Sequence, residues 1–248
     1  MRTSFGLVAA LLAVACSASP GDSSEAPDAG SATDAGADAA PAPSFGAISG
    51  ECGPLAAELD SPQPSERRSR FQLPGLPGAD DVALLDDGTR TILDSENAGG
   101  SSRYSEAFAF ELLSRCVDAE LEATENQIEY DPDGDKTDFL IVTEGERIGV
   151  SVARVMSFPL EAPYPEDSAT PLLSKKLEGI IESSANVVPE QAWRKQILGL
   201  VAYGDDHADA VDAALAELPT ELLADTVIWT IVTDGDDSFI YCDGPCDQ

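Results

Sequence analysis

The hydrophobic pattern is clearest in residues 136–156, where an apolar run, a polar turn and an alternating run follow one another. The apolar run covers residues 139–142, and the turn that follows holds Gly145, which supplies the positive φ of a tight loop. In the second run, apolar residues alternate with small or polar ones, as in a strand whose side chains point alternately to its two faces. The sequence therefore predicts a β-hairpin, and we expect this hairpin to lie at the centre of the folded domain.

The segments before this hairpin are less regular. The sequence predicts a short helix over residues 52–59, a polar loop over 61–70 and an extended stretch over 71–78. Residues 82–85 and 89–93 flank Asp86-Asp87-Gly88, which is the pattern of a second hairpin. Residues 105–125 are predicted to form a helix that Ser105 caps and whose apolar residues share one face.

The remaining segments complete an α/β pattern. Strands are predicted over residues 127–130, 196–203, 226–232 and 238–242, and helices over 168–187 and 208–223, where Pro219 is able to break the second helix. From residue 105 the order is α-β-β-β-α-β-α-β-β. This order predicts an α/β domain with a mixed β-sheet flanked by helices, with an α+β arrangement as the variant.

The first residues have the pattern of an export signal. Arg2 precedes an apolar stretch that ends at Ala15 and is too short to span a bilayer. The sequence Leu12-Ala-Val-Ala-Cys16 resembles the lipobox of bacterial lipoproteins, although Ala13 stands where Leu is usual. The resemblance implies that residues 1–15 are removed and that Cys16 is lipidated, which would anchor the chain to a membrane of the cell envelope. Ordinary cleavage after Ala15, giving a secreted protein, is the alternative.

Residues 16–47 are predicted to be a disordered tether. From residue 17 to residue 43 the chain contains almost only Ser, Ala, Asp, Gly and Pro, with no aromatic or large aliphatic side chain. Such a segment cannot bury enough apolar surface to offset the entropy lost on ordering. We expect a single acidic α/β domain over residues 48–248.

The charge of the chain excludes one class of partner. Asp and Glu number 46 against 14 Lys and Arg, which gives a formal net charge of -32. This charge repels a phosphate backbone, so no nucleic-acid partner is predicted. The acidic residues either keep the surface soluble or, in clusters, bind a divalent cation.

The cysteines predict two disulfide bonds. Cys16 belongs to the lipobox-like segment, and the other four of the five cysteines lie in the exported part, where disulfides form. Of the three pairings, we favour Cys52–Cys116 and Cys242–Cys246, since the last two are close in sequence. A zinc site is the alternative, but Cys52 and Cys116 lack CxxC spacing and His207 is the one histidine.

The α-β-β-β-α-β order over residues 105–203 resembles the core of the PD-(D/E)XK nucleases. In that family, carboxylates on two adjacent strands hold Mg²⁺ for phosphodiester cleavage, and a helix Glu often assists. Asp138 matches the first strand acid, and Glu111 matches the helix acid. Ser151 and Ala153 occupy the positions of the family's acid-x-Lys pair. The resemblance therefore implies a degenerate nuclease-like core, from which we expect no cleavage.

Two further motifs fit a known site only in part. Gly149-Val-Ser151-Val-Ala153 resembles the GxSxG nucleophile elbow, which would make Ser151 a nucleophile and His207 its base, but the surrounding pattern is that of a continuing strand. Asp131, Asp133 and Asp135 resemble half of a calcium loop. Lys136 and Val142 stand where such a loop needs Gly and Glu, so no metal is predicted there.

Together these features predict an exported, lipid-anchored envelope protein with a non-catalytic binding or structural domain. The predicted partner is the membrane, through Cys16, and no cofactor is predicted. The alternative is a hydrolase, either a degenerate nuclease-fold enzyme or a Ser151-dependent esterase. Glu111, Asp138 and Ser151 are the candidate catalytic residues of that alternative.

Overall fold

A mixed sheet of seven strands forms the centre of the computed structural model, which describes residues 43–95, 102–165, 167–242 and 244–246. The signal segment, Cys16 and residues 16–42 of the predicted tether lie outside the described residues. The last part of the predicted tether, residues 43–47, is already folded, because Phe45 is buried in the core and Ala47 begins the first strand. The strands are β1 (Ala47–Gly50), β2 (Ser65–Leu73), β3 (Glu120–Thr124), β4 (Phe139–Thr143), β5 (Glu146–Val155), β6 (Lys195–Tyr203) and β7 (Val227–Gly235). Their order across the sheet is β1-β2-β7-β6-β5-β4-β3.

The middle of the sheet is parallel and both of its ends are antiparallel. β2 pairs in parallel with β7, β7 with β6, and β6 with β5. At the two ends, β1 pairs antiparallel with β2, β5 with β4, and β4 with β3. Because parallel strands are covered on both faces, β6 is buried along almost its whole length. This arrangement confirms the predicted α/β class with a mixed sheet.

Eight α-helices lie among the described residues. They are α1 (Ala56–Asp60), α2 (Ala79–Val82), α3 (Asp87–Asp94), α4 (Arg103–Val117), α5 (Ala169–Asn186), α6 (Asp205–Glu217), α7 (Thr220–Leu223) and α8 (Ser238–Cys242). None of the helices in this part of the chain combines the length and the hydropathy that crossing a membrane requires.

The helices form a separate core on each face of the sheet. On one face α4 and α8 bury Phe108 and Phe239 against Val150, Val152 and neighbouring strand residues. On the other face α5 and α6 bury an aliphatic core that includes Leu173, Leu177, Val211 and Leu215. The helix that follows β6, α6, thus covers one face of the sheet, and the helix that follows β7, α8, covers the other.

The predicted central hairpin is confirmed, with its turn at Glu144-Gly145, and so are the helix α5 and the strands β6 and β7. Pro219 separates α6 from α7, as the pattern around it allows. The predicted loop over residues 61–70 is wrong, because β2 begins at Ser65 and pairs with the buried β7.

Three other predictions need correction. Residues 82–93 hold the last residue of α2 and most of α3 rather than a hairpin. The side chain of Asp86 caps α3 by accepting the backbone N–H of Gly88. The helix predicted over 105–125 ends at Val117, and the adjacent strand is β3 rather than residues 127–130. The last strand of the predicted order, residues 238–242, is α8, in which Phe239 packs on Phe108 of α4.

Both predicted cysteine pairs stand at disulfide distance. The Sγ atoms of Cys52 and Cys116 are 2.13 Å apart, and those of Cys242 and Cys246 are 1.97 Å apart. The first bond ties the segment before α1 to the last turn of α4, across a sequence separation of 64 residues. The second closes a short loop after α8.

Candidate functional site

The chain leaves the neighbouring strands β6 and β7 toward opposite faces of the sheet. After β6 it enters α6, which joins the aliphatic core, and after β7 it enters α8, which joins the core around α4. In open α/β sheets, ligands bind outside the carboxyl ends of the strands at such a switch point. The topology thus directs attention to the residues that follow Tyr203.

A cavity of about 370 Å³ lies at this edge of the sheet, between the segments that follow β5 and β6. One wall is formed by residues 160–164, in the loop that follows β5, and the other by residues 203–207, at the junction of β6 and α6. Gly204 makes that junction with a φ of +88°, and a Cβ atom there would meet no other heavy atom within 4 Å. The glycine is therefore required by the backbone turn rather than by close packing.

His207 lies in the wall of this cavity with an unsatisfied ring nitrogen. The residue is 5% exposed, and its Nε2 atom is buried without a hydrogen-bond partner among the described residues. Burial lowers the pKa of His207, with a smaller opposing effect from the carboxylate of Asp206. The imidazole is accordingly neutral near pH 7 and presents an acceptor as well as a donor.

Two tyrosines contact the imidazole of His207. The ring centroid of Tyr164 lies 4.8 Å from that of His207, and the ring of Tyr203 stands perpendicular to it at 5.8 Å. Both tyrosines are half-buried. The cavity therefore has a wall of three rings that meet at His207.

A buried hydrogen-bond cluster behind Tyr203 fixes the position of its ring. Tyr203 packs edge-on against Tyr241 at 5.1 Å, and the Tyr241 hydroxyl lies 2.6 Å from Thr233 Oγ1. Thr233 also donates its hydroxyl to the carboxylate of Asp237. Burial raises the pKa of Asp237, and the hydrogen bond from Thr233 partly offsets this. These contacts hold α8 against the ends of β6 and β7.

Acidic residues surround the mouth of the cavity. Asp205 is held by Arg70 at 2.7 Å and by Arg68 at 3.0 Å, and the hydrogen bond from Arg70 is the main reason that the pKa of Asp205 is lowered. Glu161 and Asp206 also line the cavity and are exposed. No Lys or Arg in the described ranges forms an ion pair with either of these two carboxylates.

The structure does not bring Asp138 and Glu111 together. The Glu111 carboxylate is 2% exposed and accepts hydrogen bonds from the backbone N–H of Asp86 (2.9 Å) and from Thr89 Oγ1 (2.7 Å), which joins α4 to α3. Asp138 interacts instead with the charge of Lys176 in α5, on the other face of the sheet. Glu111 therefore stabilises the packing of α3 on α4 and does not share a site with Asp138.

Asp138 has a hydrogen bond inside the hairpin. Its carboxylate accepts the backbone N–H of Val152 at 2.5 Å. Part of Asp138 is accessible to solvent, but its carboxylate is buried. This burial is the largest reason that the pKa of Asp138 is raised.

Ser151 lies in the middle of β5, where it pairs with Leu198 of β6, and it is buried. At roughly 3.3 Å per residue, Leu198 lies about 16 Å before the end of β6, so the structure does not bring Ser151 to His207. The strand continues through Ser151 without the sharp turn of a nucleophile elbow. Three or more His, Cys, Asp or Glu side chains do not converge on a metal-sized site anywhere in the described ranges.

The sequence indicated His207 as a base for Ser151 or as a zinc ligand, and it did not indicate Tyr164 or Tyr203. The signal that could have selected them is local: a buried strand, then Tyr203-Gly204, then the helix that carries His207. Tyr164 gives no such signal, since a loop separated by about 40 residues from His207 brings it to the site.

Comparison with known proteins does not place the chain in a family. No protein-family model matches it, and no solved structure matches it. It is 38% identical over 152 residues to the AAC-rich mRNA clone AAC4 protein of Dictyostelium discoideum. The match covers 59% of this chain but only 22% of the length of that relative.

Proposed function

We propose that this chain is an exported, lipid-anchored envelope protein whose folded domain binds a small ligand without transforming it. The observation that carries the proposal is the cavity at the ends of β5 and β6, with Tyr164, Tyr203 and His207 in its wall. Its volume of about 370 Å³ lies within the roughly 300–1,000 Å³ of small-molecule sites.

The non-catalytic part of the proposal is supported by what the candidate catalytic residues do. Asp138 accepts a backbone N–H, Glu111 binds α3, and Ser151 is buried within a strand. A metal-dependent nuclease needs converging carboxylates, and a serine hydrolase needs a base beside its nucleophile. The described residues supply neither arrangement.

Export and anchoring are supported by the sequence alone. The lipobox-like Cys16 and the tether that follows it, up to residue 42, would hold the domain away from a membrane surface. Lipidation at one Cys anchors firmly when more than one acyl chain is attached.

The experiment expresses the full chain in a bacterium and follows its fractionation. We expect the protein in the detergent phase, with an intact mass that includes acyl chains, and a Cys16→Ser variant that does not enter this phase. An unmodified N-terminus directly after Ala15 would contradict the anchor while leaving export in place.

The same preparation tests for catalysis, on single- and double-stranded DNA and RNA with Mg²⁺ or Mn²⁺ and on simple esters. We expect no turnover. Nucleic-acid cleavage lost in Asp138→Ala, or ester hydrolysis lost in Ser151→Ala, would favour the hydrolase alternative instead.

A further inference from the structure

Asp237 is a buried carboxylate without a cation bound to it. The residue is 6% exposed and lies between the end of β7 and the start of α8. Its side chain accepts a hydrogen bond from Thr233 Oγ1, and no Lys or Arg in the described part of the chain forms an ion pair with it. A buried carboxylate that is neither paired nor fully hydrogen-bonded is costly in its charged form, so such a group tends to take up a proton.

The charges on the same segment also favour the protonated form of Asp237. Burial is the largest reason that the pKa of Asp237 is raised, and the negative charges of Asp234 and Asp236 add to it. Both of these side chains are exposed, and Arg70 pairs with the first at 3.7 Å. The hydrogen bond from Thr233 acts in the opposite direction, because it stabilises the charged carboxylate.

The groups that face Asp237 from other elements do not neutralise it. Burial raises the pKa of Tyr203 of β6, and it raises the pKa of Tyr241 of α8 well above its ordinary value, so both hydroxyls are uncharged near pH 7. The charge of Arg154 of β5 opposes the shift at Tyr241. Its guanidinium donates to the backbone carbonyl of Tyr241 at 2.9 Å, near the last residue of α8.

The hydroxyl of Thr233 is placed to form hydrogen bonds in two arrangements. When Asp237 is charged, Thr233 donates to the carboxylate and accepts from the Tyr241 hydroxyl, 2.6 Å away. When Asp237 is protonated, its carboxyl O–H donates to Thr233 Oγ1, and the Thr233 hydroxyl donates to the backbone carbonyl of Ala202, 3.3 Å away. A hydroxyl oxygen donates once and accepts twice, so the second arrangement satisfies all three side chains and leaves no buried charge.

α8 is connected to the sheet through this same cluster. The backbone carbonyl of Asp237 accepts the N–H of Ile240 in the helix at 3.0 Å. Gly235, the last residue of β7, has a φ of +91°, which marks a sharp turn of the chain before the helix. The disulfide between Cys242 and Cys246 joins the helix to the loop directly after it and not to the sheet. α8 is therefore able to open after Gly235 without breaking a covalent bond or the pairing of β7.

We propose that Asp237, Thr233 and Tyr241 form a pH-sensitive latch, which holds α8 against the sheet while Asp237 is protonated and weakens when that proton is lost. The latch is independent of the ligand binding proposed above, because it concerns only the opening of α8.

The direction of the pH dependence follows from the two states of the carboxyl group. When α8 opens, Asp237 meets water and has its ordinary pKa of about 3.9, whereas burial raises its pKa in the closed state. The closed state therefore holds more protons between these two values. The contribution of the latch is fully present below the lower pKa and is lost as pH rises through the higher one. The contact of Phe239 with Phe108 does not titrate and sets the remaining stability of the closed helix.

The test is hydrogen–deuterium exchange of the purified full chain, measured by mass spectrometry from pH 4 to pH 8. The rates are corrected for the intrinsic pH dependence of amide exchange. We expect the protection of residues 238–242 to fall as pH rises through the window, by up to about tenfold per pH unit for one proton. Residues 195–203 of β6 should show no such fall, because they do not open with the helix.

Three variants assign the pH dependence to the cluster. Asp237→Asn keeps an amide that donates to Thr233, so the protection of α8 should become independent of pH. Asp236→Asn is the matched control, because this exposed neighbour carries the same charge and its replacement should retain the pH dependence. Thr233→Val removes the donor that favours the charged carboxylate, so the window should move to higher pH.

Several results would overturn the latch. A flat protection of residues 238–242 in the parent chain would show that α8 does not respond to pH. The same slope in Asp237→Asn, or its loss in Asp236→Asn, would assign the titration to another group, and an unmoved window in Thr233→Val would exclude the hydroxyl from the cluster. An equal slope in residues 195–203 would show that the whole domain responds instead of α8. If Asp237→Asn does not fold, the comparison of α8 with β6 in the parent chain and in Asp236→Asn still decides.

Discussion

The side chain of Asp138 extends the hydrogen-bond ladder of the central hairpin by accepting the backbone N–H of Val152 at 2.5 Å. The backbone N–H of Asp138 donates in turn to the carbonyl of Val150 at 3.0 Å. β4 begins one residue later, so the carboxylate takes the place of a backbone carbonyl where the strand has not yet begun. The acid that matches the nuclease motif thus has a structural role in this fold.

Two replacements of Asp138 distinguish the effect of its hydrogen bond on stability from the effect of its charge. Asp138→Ala removes both, and the unpaired N–H of Val152 should lower the unfolding free energy by about 1–3 kcal/mol. Asp138→Asn removes the charge but keeps an oxygen acceptor, so at pH 7 it should be at least as stable as the parent chain. Urea denaturation of the two variants checks this order, and equal stability of the two would contradict the role of the hydrogen bond.

The same pair predicts a pH dependence. Because the folded pKa of Asp138 is raised, the folded state holds more protons than the unfolded state between the ordinary pKa of about 3.9 and the raised value. The contribution of Asp138 to stability therefore falls as pH rises through this window. The stability of Asp138→Asn relative to the parent chain should rise over the same window, and a flat difference from pH 4 to pH 8 would contradict the raised pKa.

The two disulfide bonds should differ in their contribution to stability. For sequence separations of 64 and 4 residues, the chain-entropy model gives about 4 and about 2 kcal/mol, respectively. We expect the double variant Cys52→Ala, Cys116→Ala to unfold at a lower urea concentration than Cys242→Ala, Cys246→Ala. Non-reducing peptide mapping of the parent chain checks the pairing, and free thiols at these four positions would contradict it.

Two glycines should respond in opposite ways to replacement by alanine. A Cβ on Gly88 would lie 2.4 Å from the ring of Phe110 and 2.9 Å from Leu121 Cβ, so Gly88→Ala forces a shift in the core. We expect a loss of about 1–3 kcal/mol. A Cβ on Gly179 in α5 would meet the end of the exposed Asp135 side chain at 3.1 Å, and this side chain is free to move.

Gly179→Ala should therefore gain up to about 1 kcal/mol from helix propensity. Thermal unfolding of both variants beside the parent chain is the measurement. Destabilisation of both by a similar amount would show that the carboxylate of Asp135 cannot give way.

The sequence by itself determined the elements whose hydrophobic pattern fits only one kind of secondary structure. The alternation around Val150 and the Gly145 turn specify a hairpin, and the long apolar stripe of residues 169–186 specifies a helix. The close spacing of Cys242 and Cys246 indicated their pairing, which left Cys52 for Cys116. The α/β class followed from the order of these elements.

Only the tertiary structure decided the segments whose local pattern is ambiguous. Ser65–Leu73 is too polar to predict as a strand, yet it pairs with β7, and Arg68 and Arg70 bind carboxylates of α6 and β7. The Asp-Gly pair at residues 87–88 is found both in turns and at helix starts. Here it begins α3, and Gly88 packs closely against Phe110 of α4. The short apolar run at 238–242 forms α8, where the ring of Phe239 packs on α4 and the ring of Tyr241 packs on β6.

The candidate site depended on the tertiary structure most of all. Tyr164, Tyr203 and His207 come from a loop, a strand end and a helix start, and no spacing in the sequence relates the first to the others. They meet because β5 and β6 are parallel neighbours, which brings the segments after both strands to one edge of the sheet. The sequence specifies the chemistry of each side chain directly. The distance between two side chains depends on strand order, which arises from long-range pairing.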